Sequence, residues 1–334
     1  MALTMLALWL CGIIVGLFAV WLAGDFVVRY AVQLAGLLHV SRFLIGFVVL
    51  AIAAALPELE VAVVAAFEGA SEVSAGDIIG ANFSDIAFVA GLVLFIAGPI
   101  TLKRVDRYRL LSMFAIATPV LLSAWMFNAI TVYHGIGILF LYACAWYIIW
   151  KMNKPHSLLS EELAVVTEDV AYTKKINTVV LSTTAGKLGI SLIVLLGSSW
   201  LTVHCAIGLA RMCGVALELI GSTIFAIGTS LPELTMSLSA LRRKEYDLAL
   251  APTLGSILEH SLLVLGILSI CSHQPVSFIH LHAAMLFMFV AFAMICFGLL
   301  LRKHLERWLG VLLLSLFVSY FVWQILRAQV IFTH

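Results

Sequence analysis

The chain has 334 residues, of which 63% are hydrophobic and only 11% are charged. Its mean hydropathy of +1.13 excludes an ordinary soluble domain, and a formal net charge of +1 gives no basic excess for nucleic-acid binding. The six cysteines form no C-x-x-C pair, so neither a disulfide framework nor a zinc site is predicted. These properties predict an all-α polytopic membrane protein.

Ten apolar runs are long enough to cross a bilayer as helices of about 20 residues. They lie near residues 4–24, 43–66, 76–100, 109–128, 131–150, 188–208, 217–240, 247–270, 278–301 and 308–328. The polar stretch between the fifth and sixth runs lacks the acidic spacing of a calcium-binding loop. We therefore predict a first unit at 1–150, a cytoplasmic linker at 151–187 and a second unit at 188–334.

Basic residues are distributed unequally between the two sides of these predicted spans. Of the 19 Lys and Arg residues, only Arg211 and Arg327 fall on the side that carries the termini. Short cytoplasmic loops retain basic residues, so both termini are predicted to be extracytoplasmic. Because each unit has an odd number of spans, the second unit would enter the membrane from the opposite side, which makes it an inverted repeat.

The two units carry the same motif at a constant separation of 175 residues. In the first unit, Leu56-Pro-Glu-Leu59 is followed by Gly80-Ala-Asn-Phe-Ser-Asp85. In the second unit, Leu231-Pro-Glu-Leu234 is followed by Gly255-Ser-Ile-Leu-Glu-His260. Since the motifs pair without a gap, they indicate an internal duplication.

Each motif places a proline and a glutamate inside an apolar run. A carboxylate at the bilayer centre costs roughly 2.5–3.5 kcal/mol on insertion scales, so Glu58 and Glu233 require partners. A proline frees a backbone carbonyl, and Thr229 and Ser230 add hydroxyls near Glu233. Such hard oxygen donors favour Na⁺, Ca²⁺ or Mg²⁺ over soft metals. The competing interpretation is a proline kink with a protonated or hydrogen-bonded glutamate, and the repetition of the motif argues against it.

These motifs resemble the two α-repeats of the sodium/calcium exchanger family of the calcium/cation antiporter superfamily, which read roughly G-T-S-L-P-E and G-S-N-I-F-N. The resemblance covers nearly the whole chain. It implies ten transmembrane helices as two inverted five-helix repeats, with the first and sixth spans sliding against the rest to exchange Ca²⁺ and Na⁺. The resemblance implies these cation ligands: Glu58, Glu233, Asp85, Thr229, Ser230 and Ser256.

The chain also departs from the family motifs. Ala54, Ala55 and Ala81 stand where the first family repeat carries side-chain oxygens, and His260 stands where an Asp or Asn ligand is expected. Histidine is a natural proton acceptor near neutral pH, so His260 is predicted to make transport pH-sensitive or to add H⁺ as a coupling ion. The alternative is a histidine outside the ion path that is hydrogen-bonded to a neighbour such as Glu259.

Other acidic residues are expected outside the site. Glu60 follows Glu58 by two residues, about 200° around a helix, and is therefore expected to face away from it. Asp77 stands at the beginning of the predicted third span and is expected at the membrane interface.

Several functions remain open from the sequence. Calcium/sodium antiport is favoured, and the alternatives are a proton-coupled exchanger and a transport-incompetent regulatory relative. An enzyme is not favoured, because the chain has no H-E-x-x-H or G-x-S-x-G motif. We expect no cofactor beyond the transported cations, contacts with membrane lipid, no nucleic acid, and a bacterial cytoplasmic (inner) membrane location.

Overall fold

The computed structural model describes residues 2–37, 55–102, 104–152, 178–215, 217–242, 249–301 and 304–332. Within these ranges the protein is mostly helical. The helices of the first half are α1 (Ala2–Leu37), α2 (Leu56–Phe67), α3 (Ser71–Ser84), α4 (Gly91–Ala97), α5 (Arg104–Phe127) and α6 (Val132–Met152). Those of the second half are α7 (Thr178–Cys213), α8 (Leu217–Ile220), α9 (Ala226–Thr229), α10 (Leu231–Arg242), α11 (Ala251–Leu258), α12 (Leu265–Cys271), α13 (His282–Leu301) and α14 (Arg307–Phe332).

Seven stretches of the described chain are long and apolar enough to cross a membrane. They are Thr4–Ala23, Ser71–Ala97, Leu110–Phe127, Val180–Cys213, Thr253–Cys271, Ile279–Leu300 and Arg307–Gln324. Two shorter apolar helices, Val132–Ile148 and Leu217–Thr229, fall on further predicted spans. Residues 43–54 of the predicted second span lie outside the described residues, and the rest of that span forms α2. The protein is thus an integral membrane protein built mostly from helices.

Three helical stretches contain a π-helical segment, in which the helix is locally wider than an α-helix. Asp85–Ala90 joins α3 to α4, Gly221–Phe225 joins α8 to α9, and Glu259–Val264 joins α11 to α12. Such segments are rare and are frequent at functional sites. Two of the candidate site residues, Asp85 and His260, lie within them.

Two short β-pairs connect loops of the first half with loops of the second. β1 (Ile100–Thr101) pairs antiparallel with β4 (His304–Leu305), with Ile100 opposite Leu305. β2 (Ala129–Ile130) pairs antiparallel with β3 (Val276–Ser277). A 3₁₀ turn at Ile279–Leu281 leads from β3 into α13.

The helices pack as one long pair beside a larger bundle. α1 and α7 lie against each other along their length, and α7 also contacts α2. In the bundle, α3 packs on α2, α8, α9 and the 221–225 segment, while α4 packs on α14 and α6 on α12. Large apolar side chains such as Phe18, Phe140 and Ile193 are exposed on the outside. A surface of this kind is suited to lipid rather than water.

The contact between α3 and the 221–225 segment depends on glycine. A Cβ at Gly76 would overlap the carbonyl oxygen of Glu218 and lie 2.9 Å from the backbone nitrogen of Ser222. Because both obstacles are backbone atoms, they cannot move aside as a flexible side chain could. The absence of a side chain at Gly76 therefore allows the two halves of the chain to meet closely beside the motif residues.

Gly76→Ala is expected to destabilise the protein by about 1–3 kcal/mol, because the added methyl group overpacks a rigid contact. Gly137→Ala is the matched control, since a Cβ there meets no heavy atom of the described residues within 4 Å. Gly137 lies inside α6, where Ala stabilises a helix by roughly 0.5–1 kcal/mol relative to Gly. Thermal unfolding of the purified protein in detergent measures both effects. Equal melting temperatures for the two variants would contradict the close contact.

Candidate cation site

The two motif helices begin at matching interruptions. α2 starts after Ala55, whose backbone leaves the helical region at φ −93°, ψ 8°, and Pro57 occupies its first turn. Ser230, at φ −78°, ψ 1°, separates α9 from α10. Proline is well suited to the first turn of a helix, because its missing N–H has no helical partner there. Both helices therefore start at the motif and hold their glutamates in the first turn.

Glu58, Glu233 and His260 meet inside the protein. Each offers one atom that lies within 4.8 Å of the others, and their side chains are 0–1% exposed. His260 Nε2 is 3.6 Å from Glu58 Oε1, and His260 Nδ1 is 3.8 Å from Asp85 Oδ2. The imidazole ring therefore lies between a carboxylate of α2 and one of the 85–90 segment.

Two serines face the carboxylate of Asp85. The Ser256 hydroxyl donates to Asp85 Oδ2 at 2.6 Å, and its oxygen is also 3.0 Å from the Thr253 carbonyl oxygen. The Ser230 hydroxyl is close enough to Asp85 to influence its carboxylate, but its oxygen has no hydrogen-bond partner among the described residues. Ser256 thus orients Asp85 from the second half of the chain.

Many polar atoms of this cluster have no hydrogen-bond partner among the described residues. These atoms are Glu58 Oε1 and Oε2, Glu233 Oε2, Asp85 Oδ1, Ser230 Oγ, and both ring nitrogens of His260. Buried polar groups in proteins are normally paired, and buried carboxylates in a membrane need a cation or a proton. Converging carboxylate and hydroxyl oxygens are the donor set that hard cations prefer. The residues present therefore fit a cation substrate.

The structure does not show a hydrogen bond between His260 and Glu259, which was the alternative interpretation of this histidine. Its ring faces Glu58 and Asp85, and neither nitrogen is hydrogen-bonded to Glu259. Glu259 Oε2 has no hydrogen-bond partner among the described residues. His260 consequently belongs to the cluster of carboxylates.

The structure brings together most of the candidate ligands; the exception is Thr229, whose hydroxyl contacts other partners. Glu58, Glu233 and Asp85 lie around His260, while Ser256 donates a hydrogen bond to Asp85 and Ser230 lies close to it. The Thr229 hydroxyl lies 2.9 Å from Asp77 Oδ1 and 3.2 Å from the Phe225 carbonyl oxygen, so it can donate to either.

The sequence-based placement of Asp77 at the membrane interface is wrong. α3 begins at Ser71 rather than near residue 76, which places Asp77 in the second turn, and its side chain is 0% exposed. The apolar run starts later than the helix because the first turns of α3 are polar. The helical spacing from Asp77 through Ala81 to Asp85 was the signal that could have located it on the site face.

Glu60 faces away from the cluster, as its spacing predicts. It is 7% exposed, and its Oε2 accepts a hydrogen bond of 3.0 Å from Ser199 of α7. Glu60 therefore connects α2 to the long pair formed by α1 and α7.

Comparison with known proteins gives a consistent result. Residues 8–151 and 182–326 match a family model described as "Sodium/calcium exchanger protein". A relative from Methanosarcina acetivorans, "Sodium/calcium exchanger MaX1", is 27% identical over 329 residues, covering 85% of this chain and 89% of the relative.

Two solved structures share the fold. The sodium-calcium exchanger NCX_Mj, soaked with 10 mM Na⁺ and zero Ca²⁺, aligns with a TM-score of 0.59 and 23% identity. That alignment covers 95% of this chain and 99% of NCX_Mj. The H⁺/Ca²⁺ exchanger CAX aligns with a TM-score of 0.72 and 18% identity, covering 94% of this chain and 82% of CAX. At these identities the likeness establishes the fold of the chain.

Proposed function

Because the chain belongs to the sodium/calcium exchanger protein family, we propose that it is a secondary active cation antiporter that exchanges Ca²⁺ for Na⁺. The observation that carries this proposal is the buried cluster of Glu58, Glu233 and His260, with Asp85 beside the ring of His260, because the free carboxylate oxygens fit a hard cation. The transported cations are substrates, and no resident cofactor or enzymatic step is needed for exchange.

Exchange follows from competition for the same carboxylates. The proposed ligands are Glu58, Glu233, Asp85, Thr229, Ser230 and Ser256. Without a bound cation, the buried carboxylates repel one another and are not hydrated. A conformational change of the protein with an empty site is therefore costly in free energy. When either Ca²⁺ or Na⁺ is bound, the charge of the carboxylates is neutralised, and the protein can change between its outward-facing and inward-facing conformations. Since the two cations share ligands, loading one disfavours the other.

We propose that ten helices form two inverted five-helix repeats joined by the linker predicted at 151–187, of which residues 153–177 lie outside the described residues and residues 178–187 belong to α7. Support comes from helical stretches 71–97 and 251–271, which both contain a central π segment. The β-pairs also agree with an internal duplication. β2 and β4 are 175 residues apart, β2 pairs with β3, and β4 pairs with β1. This topology makes the two motif glutamates equivalent across a pseudo-twofold axis.

Alternating access is proposed to come from sliding of α1 and α7 against the bundle. These helices pack mainly on each other, which allows them to move as a unit. Their contact with the bundle includes the hydrogen bond between Glu60 and Ser199. We further propose, from the distribution of basic residues, that both termini are extracytoplasmic in a bacterial inner membrane, with the apolar outer faces in lipid.

Proton coupling is the second candidate function. It is favoured by His260, because an imidazolium between Glu58 and Asp85 would take the place of a cation. The overall fold is also that of a solved H⁺/Ca²⁺ exchanger.

Uptake of ⁴⁵Ca²⁺ into proteoliposomes tests these candidates. An outward Na⁺ gradient at equal pH is expected to drive uptake at least about tenfold above the leak of protein-free vesicles, because net exchange stops without a counter-ion. The same vesicles are then given an outward H⁺ gradient without Na⁺.

The two gradients separate the candidate functions. Uptake driven by H⁺ alone would replace sodium by proton as the coupling ion. Uptake under neither gradient, with protein correctly inserted, would contradict calcium antiport and favour the transport-incompetent regulatory relative.

A further inference from the structure

One face of α3 carries polar residues beyond the candidate cation site. Ser74, Asp77, Ala81 and Asp85 fall within an arc of about 80° when successive residues are turned by about 100°. The order along this face runs from Ser74 at the start of the helix to Asp85 at its end. Asp77 therefore shares a face with Asp85, about two helical turns away.

Asp77 and Ser74 are buried with unused polar atoms. Both side chains are 0% exposed. Among the described residues, neither Asp77 Oδ2 nor Ser74 Oγ has a hydrogen-bond partner. The other carboxylate oxygen, Asp77 Oδ1, is the one that lies 2.9 Å from the Thr229 hydroxyl. A buried carboxylate with a single neutral donor is costly unless a cation completes its surroundings.

We propose that Asp77 is a further cation ligand, which together with Thr229 and Ser74 forms a second cation position in the site. One carboxylate and two hydroxyls supply a single negative charge and hard oxygen donors. That charge matches a monovalent cation such as Na⁺, whereas Ca²⁺ usually takes six to eight oxygens with several carboxylates. The position between Glu58 and Glu233 remains the one for which Ca²⁺ competes with a further Na⁺.

Asp77 also replaces an oxygen that this chain lacks. Ala81 offers no side-chain donor at the centre of the face, and Asp77 lies one helical turn before it. Asp77 and Asp85 are both buried on one face of α3 and its continuation, where charges are poorly screened, so a cation bound at one position is expected to alter binding at the other. The second position is therefore coupled to the first.

The role of Asp77 rests on the proposed function, and a binding measurement separates the two. The melting temperature of the purified protein in detergent is followed against NaCl and against CaCl₂, with choline chloride keeping the ionic strength constant. A cation that binds the folded protein raises its melting temperature, so the half-saturating concentration reports affinity. The proteins compared are wild type, Asp77→Asn, Ser74→Ala and Glu233→Gln.

Asp77→Asn keeps an oxygen for Thr229 and removes the charge. The half-saturating Na⁺ concentration is expected to rise by about tenfold or more, because a unit charge beside the cation is lost. The half-saturating Ca²⁺ concentration is expected to change by less than about threefold, since the paired glutamates remain. Ser74→Ala is expected to raise the Na⁺ value by about threefold, and it carries the test if Asp77→Asn does not fold.

The outcomes distinguish this position from the main site. Unchanged Na⁺ affinity in both Asp77→Asn and Ser74→Ala would overturn the second position, even if Glu233→Gln loses Ca²⁺ stabilisation as the proposed function requires. An equal loss of Na⁺ and Ca²⁺ affinity in Asp77→Asn would also overturn it, because Asp77 would then serve one shared position. A wild-type protein stabilised by neither cation would contradict the proposed function together with the second position.

Discussion

Replacing Glu58 or Glu233 by Gln is expected to abolish cation exchange while leaving membrane insertion intact. A unit charge about 4 Å from a monovalent cation is worth about 4 kcal/mol at an effective dielectric constant near 20, and more for Ca²⁺. The half-saturating concentration of Ca²⁺ should therefore rise by at least about a hundredfold. Gln keeps the size of the side chain, so the packing around the first turns of α2 and α10 is preserved. ⁴⁵Ca²⁺ uptake in proteoliposomes measures the loss.

Glu68→Gln is the matched control for these variants. Glu68 follows the last turn of α2, is exposed, and accepts a hydrogen bond from Trp200 of α7 at 3.0 Å. Its replacement changes the total charge equally but leaves the buried cluster unaltered, so uptake is expected to stay within about twofold. Retained exchange in both Glu58→Gln and Glu233→Gln would remove these residues from the cation site.

Replacing His260 by Gln is expected to abolish the inhibition of transport by acid. Protonation of His260 places a positive charge beside Glu58 and Asp85, at nitrogen–oxygen distances of 3.6 and 3.8 Å. An imidazolium there competes with the transported cation for the same carboxylates, so uptake by the wild type should fall as the pH is lowered. A unit positive charge at this distance from the cation should lower the rate of uptake by at least about a hundredfold once the ring is fully protonated. The initial rate of Na⁺-driven ⁴⁵Ca²⁺ uptake, measured against pH, records this dependence.

His260→Asp tests the sign of the same effect. An added carboxylate in place of imidazole supplies a negative charge and an oxygen ligand, so Ca²⁺ should bind about tenfold more tightly or better. His204→Gln is the control, because His204 is an exposed residue of α7 that stacks on Trp200 away from the cluster. If the wild type and His260→Gln share one pH profile, His260 has no part in cation competition.

The site could be predicted where the motif is repeated. Glu58 and Glu233 stand in matching positions of two duplicated segments, and a carboxylate in an apolar run must find a partner in the interior of a membrane protein. Those two facts are sufficient to expect the pair to meet. Asp85 and Ser256 came instead from the resemblance to the exchanger motifs, and in the structure they contact each other through a hydrogen bond.

Other features of the site depend on contacts that leave no local sequence signal. His260 and Glu58 are separated by about 200 residues; the motif places His260 at a ligand position, but it does not indicate which carboxylate the ring would face. Thr229 matches the motif but turns towards Asp77, a partner 152 residues earlier in the chain. The sequence also did not predict the start of α3 at Ser71. The first turns of this helix are polar, and hydropathy detects a span only from the residue at which the apolar run begins.

The sequence by itself determined the class of the protein, its duplicated organisation and the identity of its paired glutamates. These properties follow from composition and from local spacing, which hydropathy and helical geometry convert directly into spans and faces. Only the tertiary structure decided that Asp77 is buried, that His260 lies between two carboxylates, and which hydroxyls have partners. Those outcomes depend on close packing between distant helices, as at Gly76, and packing is a property of the whole chain rather than of any one segment.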